Sequence, residues 1–230
     1  MSDSIKVRKR NGRGIEPLNL EKMHKMVEEA TTGLAGVSAS QVEINSGIQF
    51  YDGITTDEIQ SILIRSASDL ITLDNPNYQF VAARLLLFGL RKNLYRRIRE
   101  MPPLIDHINK CVDNGVYDKE ILDNYTEEEL LTAEKFIDHD RDLLFTYAGL
   151  RQVVDKYLVQ DRSTGKVYES PQFMYIMIAL TIFAKYPQDK RLDYVRRYYD
   201  ATSRHKINIP TPIMAGVRTP IRQFASCVLV

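Results

Sequence analysis

Two stretches carry residue types that could do chemistry, and they lie near opposite ends of the chain. Close to the start, Lys9, Arg10 and Arg13 gather around Asn11-Gly12, the dipeptide that most favours a tight hairpin because both positions tolerate positive φ. Asn19 follows as a helix N-cap, and the free amides of a helix N-terminus attract phosphate. Lys22 would then stand in the first helical turn, where a cation opposes the macrodipole by about 0.3–1 kcal/mol, a cost that a bound anion would offset. The same residues also fit a solvated basic hairpin, since no glycine-rich phosphate loop accompanies them.

At the other end, Cys227 lies in FASCVLV, which reads as a buried apolar strand. Side chains alternate along a strand, so Ser226 and Cys227 point to opposite faces; if the thiol faces a site, the serine contributes backbone groups. By residue type alone, a lone cysteine on such a strand is more often buried and inert. Thr211, between Pro210 and Pro212, reads as part of a rigid turn. Asp138, His139, Asp140 and Asp142, or His107 with Cys111, do not supply the three or four convergent ligands that zinc needs, so no metal site is expected. The carboxylates around His139 instead start a helix, Cys111 belongs to the core, and Tyr175, Tyr194, Tyr198 and Tyr199 are packing residues.

The elements that must position these groups are mostly helical. After the hairpin over 5–17, helices are expected behind Asn19, behind Ser38 or Ser40 through QVEINSGIQFY, and behind a Thr55/Glu58 capping box. A longer helix opens at Asn75-Pro76 with Phe80, Val81, Leu85 and Phe88 on its apolar face, and Gly89 inside it costs about 1 kcal/mol relative to alanine. Met101-Pro102-Pro103 stops this unit and sets a domain boundary. Beyond it come helices in TEEELLTAEKFID and LLFTYAGLRQVVDKYL, a hairpin at VQDRSTGKVYES, a buried helix over 173–184 and a charged one in QDKRLDYVRRYYDAT. Residues 201–230 contain no Asp or Glu but include Arg204, Lys206, Arg218 and Arg222, which suits short strands and turns facing an anion.

The 230 residues suffice for one large domain or two smaller ones. The balance of 31 basic against 30 acidic side chains, a net charge of +1, argues against a protein that coats nucleic acid or a membrane surface. No apolar run reaches the roughly 20 residues of a membrane helix, and the first residues lack the apolar core of a secretory signal, so the expectation is cytoplasmic. Two cysteines cannot form a disulfide framework. The apolar strand ending at Val230 would leave an unpaired edge that another chain must cover.

In order, VRKRNG, NLEKMHK, FYDGITTDEIQ and YQFVAARLLLFGLRK resemble the ATP-cone of the large subunit of class I ribonucleotide reductase. The likeness continues through YTEEEL, FIDHDRDLLFTYAGLRQVVDKYLVQDRSTGKVYES and IPTPIMAGVRTPIRQFASCVL, covering essentially the whole chain. It implies a mainly α fold with short β elements (α+β): an ATP-cone over 1–100, a helical part over 101–204, and the incomplete first-strand region of the catalytic barrel over 205–230. It further implies an allosteric site for ATP or dATP with magnesium at Lys9, Arg10, Glu16, Asn19, Lys22, Thr56 and Lys92, and no covalently bound cofactor. The hairpin is one residue longer than in bacterial members, and Gln60 and Gly89 stand where those commonly carry histidines linked to dATP inhibition.

By the same resemblance Cys227 is one of the redox pair that reduces the ribose, Ser226 lines the substrate site, and Thr211 offers its hydroxyl to substrate phosphate. The implied activity is radical-based reduction of ribonucleoside diphosphates to deoxyribonucleotides, with thioredoxin or glutaredoxin as reductant and a radical-generating small (beta) subunit as partner. The family's thiyl-radical cysteine, second redox cysteine, glutamate and asparagine lie downstream, so the isolated chain is expected to be inactive without the remainder of the large subunit as a second chain. A rival reading is a stand-alone nucleotide sensor, but the zinc ribbon paired with ATP-cones in transcriptional repressors needs four cysteines in CxxC pairs. A nucleic-acid-binding protein using KVRKRNGRG and LRKNLYRRIR fits the balanced charge least.

Overall fold

The structure, a computed structural model, describes residues 5–9, 14–221 and 224–225. By compactness these fall into two units, Met1–Leu90 with Phe145–Arg151, and Arg91–Leu144 with Gln152–Val230.

In the first unit the expected hairpin forms from β1 (Lys6–Arg8) and β2 (Ile15–Pro17), paired antiparallel with Val7 opposite Glu16. Its turn, including Arg10, lies outside the described residues. A third strand that the sequence reading lacked, β3 (Ile54–Thr55), pairs parallel to β1, with Arg8 opposite Thr55, giving the order β2-β1-β3. Two residues are too few for a period-2 pattern, so only long-range pairing reveals this strand.

The caps fall as expected. Asn19 Oδ1 accepts from the Lys22 amide at 2.8 Å to open α1 (Leu20–Thr31), and Ser38 opens α2 (Ala39–Gly47), which stops short of the Ile48–Tyr51 stretch assigned to it from sequence. Thr55 and Glu58 form a reciprocal capping box on α3 (Thr56–Asp69). The fourth helix, α4, runs Tyr78–Tyr95, two residues later than the Asn75-Pro76 start expected, because the first carbonyl to accept an i→i+4 bond is that of Asn77. Within this unit α4 is tied to its neighbours by polar contacts: the Tyr78 hydroxyl donates to Gln41 at 2.5 Å, and Arg84 donates to the Ala30 and Thr32 carbonyls at 3.2 and 2.7 Å. Val81, Leu85 and Phe88 are buried as their spacing predicts.

The second unit begins with α5 (Leu104–Asp113), α6 (Glu120–Asn124) and α7 (Glu127–Glu134). The expected single helix through LLFTYAGLRQVVDKYL is instead broken into a 3-10 segment (His139–Leu144), α8 (Tyr147–Gln152), which up to Arg151 belongs to the first unit, and a π-helical turn (Val153–Tyr157). Single π turns occur disproportionately at functional sites. The hairpin at VQDRSTGKVYES is present as β4 (Gln160–Asp161) and β5 (Lys166–Val167). The apolar run forms α9 (Pro171–Phe183), buried on every side from Pro171 to Leu180 and packed against α10 (Gln188–Ser203). Tyr175 and Tyr199 are core, and Tyr194 stacks on Phe183, which agrees with a packing role for the tyrosines.

Residues 201–230 depart from the expectation of strands and turns. Thr211 opens a short helix, α11 (Thr211–Gly216), since Pro212 falls in its first turn, where a missing amide costs nothing. No strand occurs here among the described residues. Arg218 does not face an anion from solvent; its side chain is fully buried and ion-paired with Glu169, which is also fully buried. Of the buried strand expected over FASCVLV, Phe224 and Ala225 are exposed and not in a strand, and residues 226–230, with Ser226 and Cys227, lie outside the described residues. Among the described residues no helix is long and apolar enough to cross a membrane.

Candidate functional sites

In the first unit the sheet order brings the hairpin beside the start of α3. The Lys9 amide donates to the Gly14 carbonyl at 3.0 Å, and the Lys9 ammonium is ion-paired with Glu16 across the hairpin. Both side chains are about a third to a half exposed, so this pair contributes at most about 1 kcal/mol and leaves both groups accessible to a ligand. Because Arg8 is opposite Thr55, Thr56 at the first position of α3 lies one residue from the edge of β1's pairing.

Thr56 is the residue here that packing does not explain. Its hydroxyl oxygen is buried and lacks a hydrogen-bond partner among the described residues, although a buried hydroxyl left unpaired costs about 1–3 kcal/mol. The nearby Glu58 carboxylate is committed elsewhere. Glu58 accepts from the Thr55 amide and hydroxyl and from the Tyr51 hydroxyl at 2.8 Å, contacts that hold its carboxyl below the usual range, the Thr55 hydroxyl foremost. Asp57 and Glu58 make the first turn of α3 acidic, so an anion is better placed toward Lys9, Lys22 and the α1 N-terminus than over α3. Asn19 and Lys22 are exposed at that N-terminus. Lys92, in the last turn of α4, belongs to the second compact unit.

Gln60 and Gly89 prove to be neighbours. A Cβ built on Gly89 would lie 3.0 Å from Gln60 Cγ, and the buried Gln60 amide donates to the Leu85 carbonyl at 2.8 Å.

In the second unit Thr211 is exposed at the edge of an open cleft of about 730 Å³ that is also lined by Lys156, Gln160, Arg162, Thr219 and Ile221. The Tyr157 hydroxyl lies 3.4 Å from Thr211 Oγ1 and accepts from Gln152 Nε2 at 3.0 Å. Sequence reasoning missed this pair, because Gln152 and Tyr157 carry no motif of their own and Tyr157 reaches Thr211 from the π-helical turn. Arg218 donates through Nη1 to the Met214 carbonyl at 2.5 Å and through Nη2 to the Tyr157 carbonyl at 2.9 Å. Glu169 also accepts from the Tyr117 hydroxyl at 2.5 Å and the Val159 amide at 2.6 Å. The buried ion pair thus fixes α11 and the π turn to one another.

Cys111 is fully buried in this unit, 3.8 Å from His107 Nε2, and burial pushes its thiol up to about 12. At that value it is neutral and unreactive at physiological pH, consistent with a core role. His107 stacks on Phe173 with ring centroids 4.0 Å apart, and burial lowers its pKa to about 3. Among the described residues no group of three or more His, Cys, Asp or Glu side chains is placed to hold a metal ion.

A three-stranded sheet with four helices, followed by a mainly helical unit, is the pattern that comparison with known families recognises in two parts. Residues 5–93 match the ATP cone domain, and residues 143–222 match the all-alpha domain of ribonucleotide reductase. The chain is 53% identical over all 230 of its residues to ribonucleoside-diphosphate reductase 1 subunit alpha of Escherichia coli, covering 30% of that protein. It is also 53% identical over its full length to the subunit alpha of Haemophilus influenzae, again covering 30% of it. The subunit alpha of Enterobacteria phage T4 is 45% identical over 208 residues, 90% of this chain and 27% of that protein. Along its whole length the chain is similar to the N-terminal part of ribonucleoside-diphosphate reductase alpha subunits, and it spans about 30% of the length of these relatives.

Proposed function

We propose that the chain takes part in the radical-based reduction of ribonucleoside diphosphates to deoxyribonucleotides, as the region of the large subunit that carries its nucleotide effector site and one redox cysteine. Identity of 53% along the whole chain, running through both matched domains without interruption, is the observation that carries this reading. The domain organisation that goes with it is an ATP-cone over 1–100, a helical part over 101–204 and the opening of the barrel over 205–230.

In this reading Lys9, Arg10, Glu16, Asn19, Lys22, Thr56 and Lys92 hold ATP or dATP with magnesium. The unpartnered Thr56 hydroxyl supports it, because a ligand acceptor would supply the missing partner. Thr211 donates to substrate phosphate and Ser226 lines the same site. Cys227 and a second cysteine outside this chain each give up a hydrogen as the ribose 2'-hydroxyl leaves as water, and the two sulfurs close a disulfide. Thioredoxin or glutaredoxin reopens that disulfide by thiol exchange. A beta subunit supplies the radical, and the remainder of the large subunit supplies the other catalytic groups.

Reconstitution tests the proposal. The chain alone should not reduce ribonucleoside diphosphates; with the remaining large-subunit sequence and the small subunit it should turn over repeatedly. Cys227→Ser should abolish multiple turnover with a dithiol reductant while leaving assembly intact, since a hydroxyl cannot form the disulfide. Full turnover by that variant, or by the wild-type chain unassisted, would overturn the reading.

A further inference from the structure

We propose that Tyr157 is a positioning residue for Thr211, the second link in a directional hydrogen-bond relay that aims the threonine hydroxyl hydrogen into the cleft. This inference rests on the reading of Thr211 as a substrate-phosphate donor. The relay starts at Gln152, whose Nε2 donates to the Tyr157 oxygen at 3.0 Å. A phenol carries a single hydrogen, and with its oxygen already accepting from Gln152 that hydrogen is free to go to Thr211 Oγ1, 3.4 Å away. Thr211 then accepts, and its own hydroxyl hydrogen is left to donate toward the open side, where Thr211 lines the cleft with Lys156 and Arg162. Without the upstream donor, Thr211 could satisfy itself by donating back to the tyrosine, which would present a lone pair rather than a hydrogen to an anion.

The surroundings hold both residues in place. Tyr157 closes the π-helical turn, whose wider winding sets where its side chain leaves the backbone. Its carbonyl is held at 2.9 Å by the buried Arg218, whose other arm holds the Met214 carbonyl one turn into the helix that Thr211 opens. Arg162 donates to the Asp155 and Lys156 carbonyls at 3.2 Å each, so the last carbonyls of the turn are also bound. The phenol and the threonine are therefore anchored on two backbones clamped by one guanidinium, an arrangement that orients a hydroxyl at little entropic cost.

The test uses the assembled reductase and compares KM and kcat for a ribonucleoside diphosphate in Tyr157→Phe, Thr211→Val and the double variant, with a thermal melt of each. Removing one neutral hydrogen bond from the relay should raise KM about fivefold in Tyr157→Phe, with kcat falling less than about twofold. Thr211→Val should raise KM further, and Tyr157→Phe should add nothing in that background. Thr211→Ser, which keeps a hydroxyl, should retain the sensitivity to Tyr157→Phe. If Thr211→Val raises KM while Tyr157→Phe does not, or if the two effects multiply, the relay is wrong and the phosphate reading stands. A Tyr157→Phe variant that only lowers the melting temperature or kcat shows a structural role and also overturns the relay. If Thr211→Val itself leaves KM unchanged, the phosphate reading fails first.

Discussion

Replacing Arg218 by methionine should destabilise the second unit more than any surface substitution in it. Arg218 and Glu169 are both fully buried, and the arginine's Nε lies 3.1 and 2.9 Å from the two carboxylate oxygens. Methionine fills much of the same volume but strands the carboxylate with, among the described residues, only the Tyr117 hydroxyl and the Val159 amide, two neutral donors. It also frees the Met214 and Tyr157 carbonyls. Breaking a buried pair by removing one partner costs about 3–5 kcal/mol, because the remaining charge stays desolvated. For a chain of this size each kcal/mol moves the midpoint by about 2–4 °C, so a fall of roughly 6–20 °C is expected.

Removing both charges, in Glu169→Gln with Arg218→Met, should recover most of the loss, since neither side chain is then left as an unpaired ion. Urea titrations followed by circular dichroism give the free energies, and calorimetry gives the midpoints. A single variant within about 1 kcal/mol of the parent would refute the argument, as would a double variant less stable than Arg218→Met alone.

Two further outcomes follow from the same contacts. Lys9→Ala should weaken ATP binding to the chain about tenfold or more in titration calorimetry, the worth of a charge-assisted phosphate contact; unchanged affinity would place the nucleotide elsewhere. His107, held neutral by burial with a pKa of about 3 against the ordinary 6.5, is protonated first in the unfolded chain, so stability is complete above about pH 6.5 and falls through the interval down to about 3 at about 1.4 kcal/mol per pH unit. His139, lowered to about 4 by burial, adds a slope of the same sign, and urea titrations at pH 7 and pH 5 should show His107→Asn losing roughly 2 kcal/mol less than the parent between them.

Local chemistry was legible wherever it acts within a few residues. Asn19, Ser38 and the Thr55/Glu58 box each cap the helix expected of them, and the run behind Ser170 is buried as its composition requires. What could not be read depends on distant pairing. Strand β3 exists only because Ile54 and Thr55 meet Val7 and Arg8, 47 residues earlier in the chain. Arg218 was grouped with Arg204 and Arg222 as a basic surface because its acidic partner, Glu169, is 49 residues away and belongs to a segment read as a hairpin. For the candidate sites the same division holds. Lys9 and Asn19 could be singled out by type and neighbours and Thr211 by the family resemblance, whereas the Thr56 hydroxyl's lack of a partner among the described residues and the Gln152 and Tyr157 contacts require coordinates.

Gly89 shows how a residue that breaks a local rule can mark such a distant constraint. Glycine inside a helix costs about 1 kcal/mol relative to alanine, and α4 continues six residues past it, so the cost is not that of a helix end. The space above its Cα is taken by Gln60, whose amide reaches the Leu85 carbonyl at 2.8 Å. That carbonyl is the one an α-helix assigns to the Gly89 amide, so Gln60 shares an acceptor already in use. An alanine at 89 would regain helix propensity only if Gln60 drew back by a few tenths of an ångström from a Cβ at 3.0 Å, at the risk of leaving its buried amide unpaired. Glutamine at 60 and glycine at 89 are therefore one packing solution. The two positions are coupled by contact, which is a physical reason for a change at one to require a change at the other.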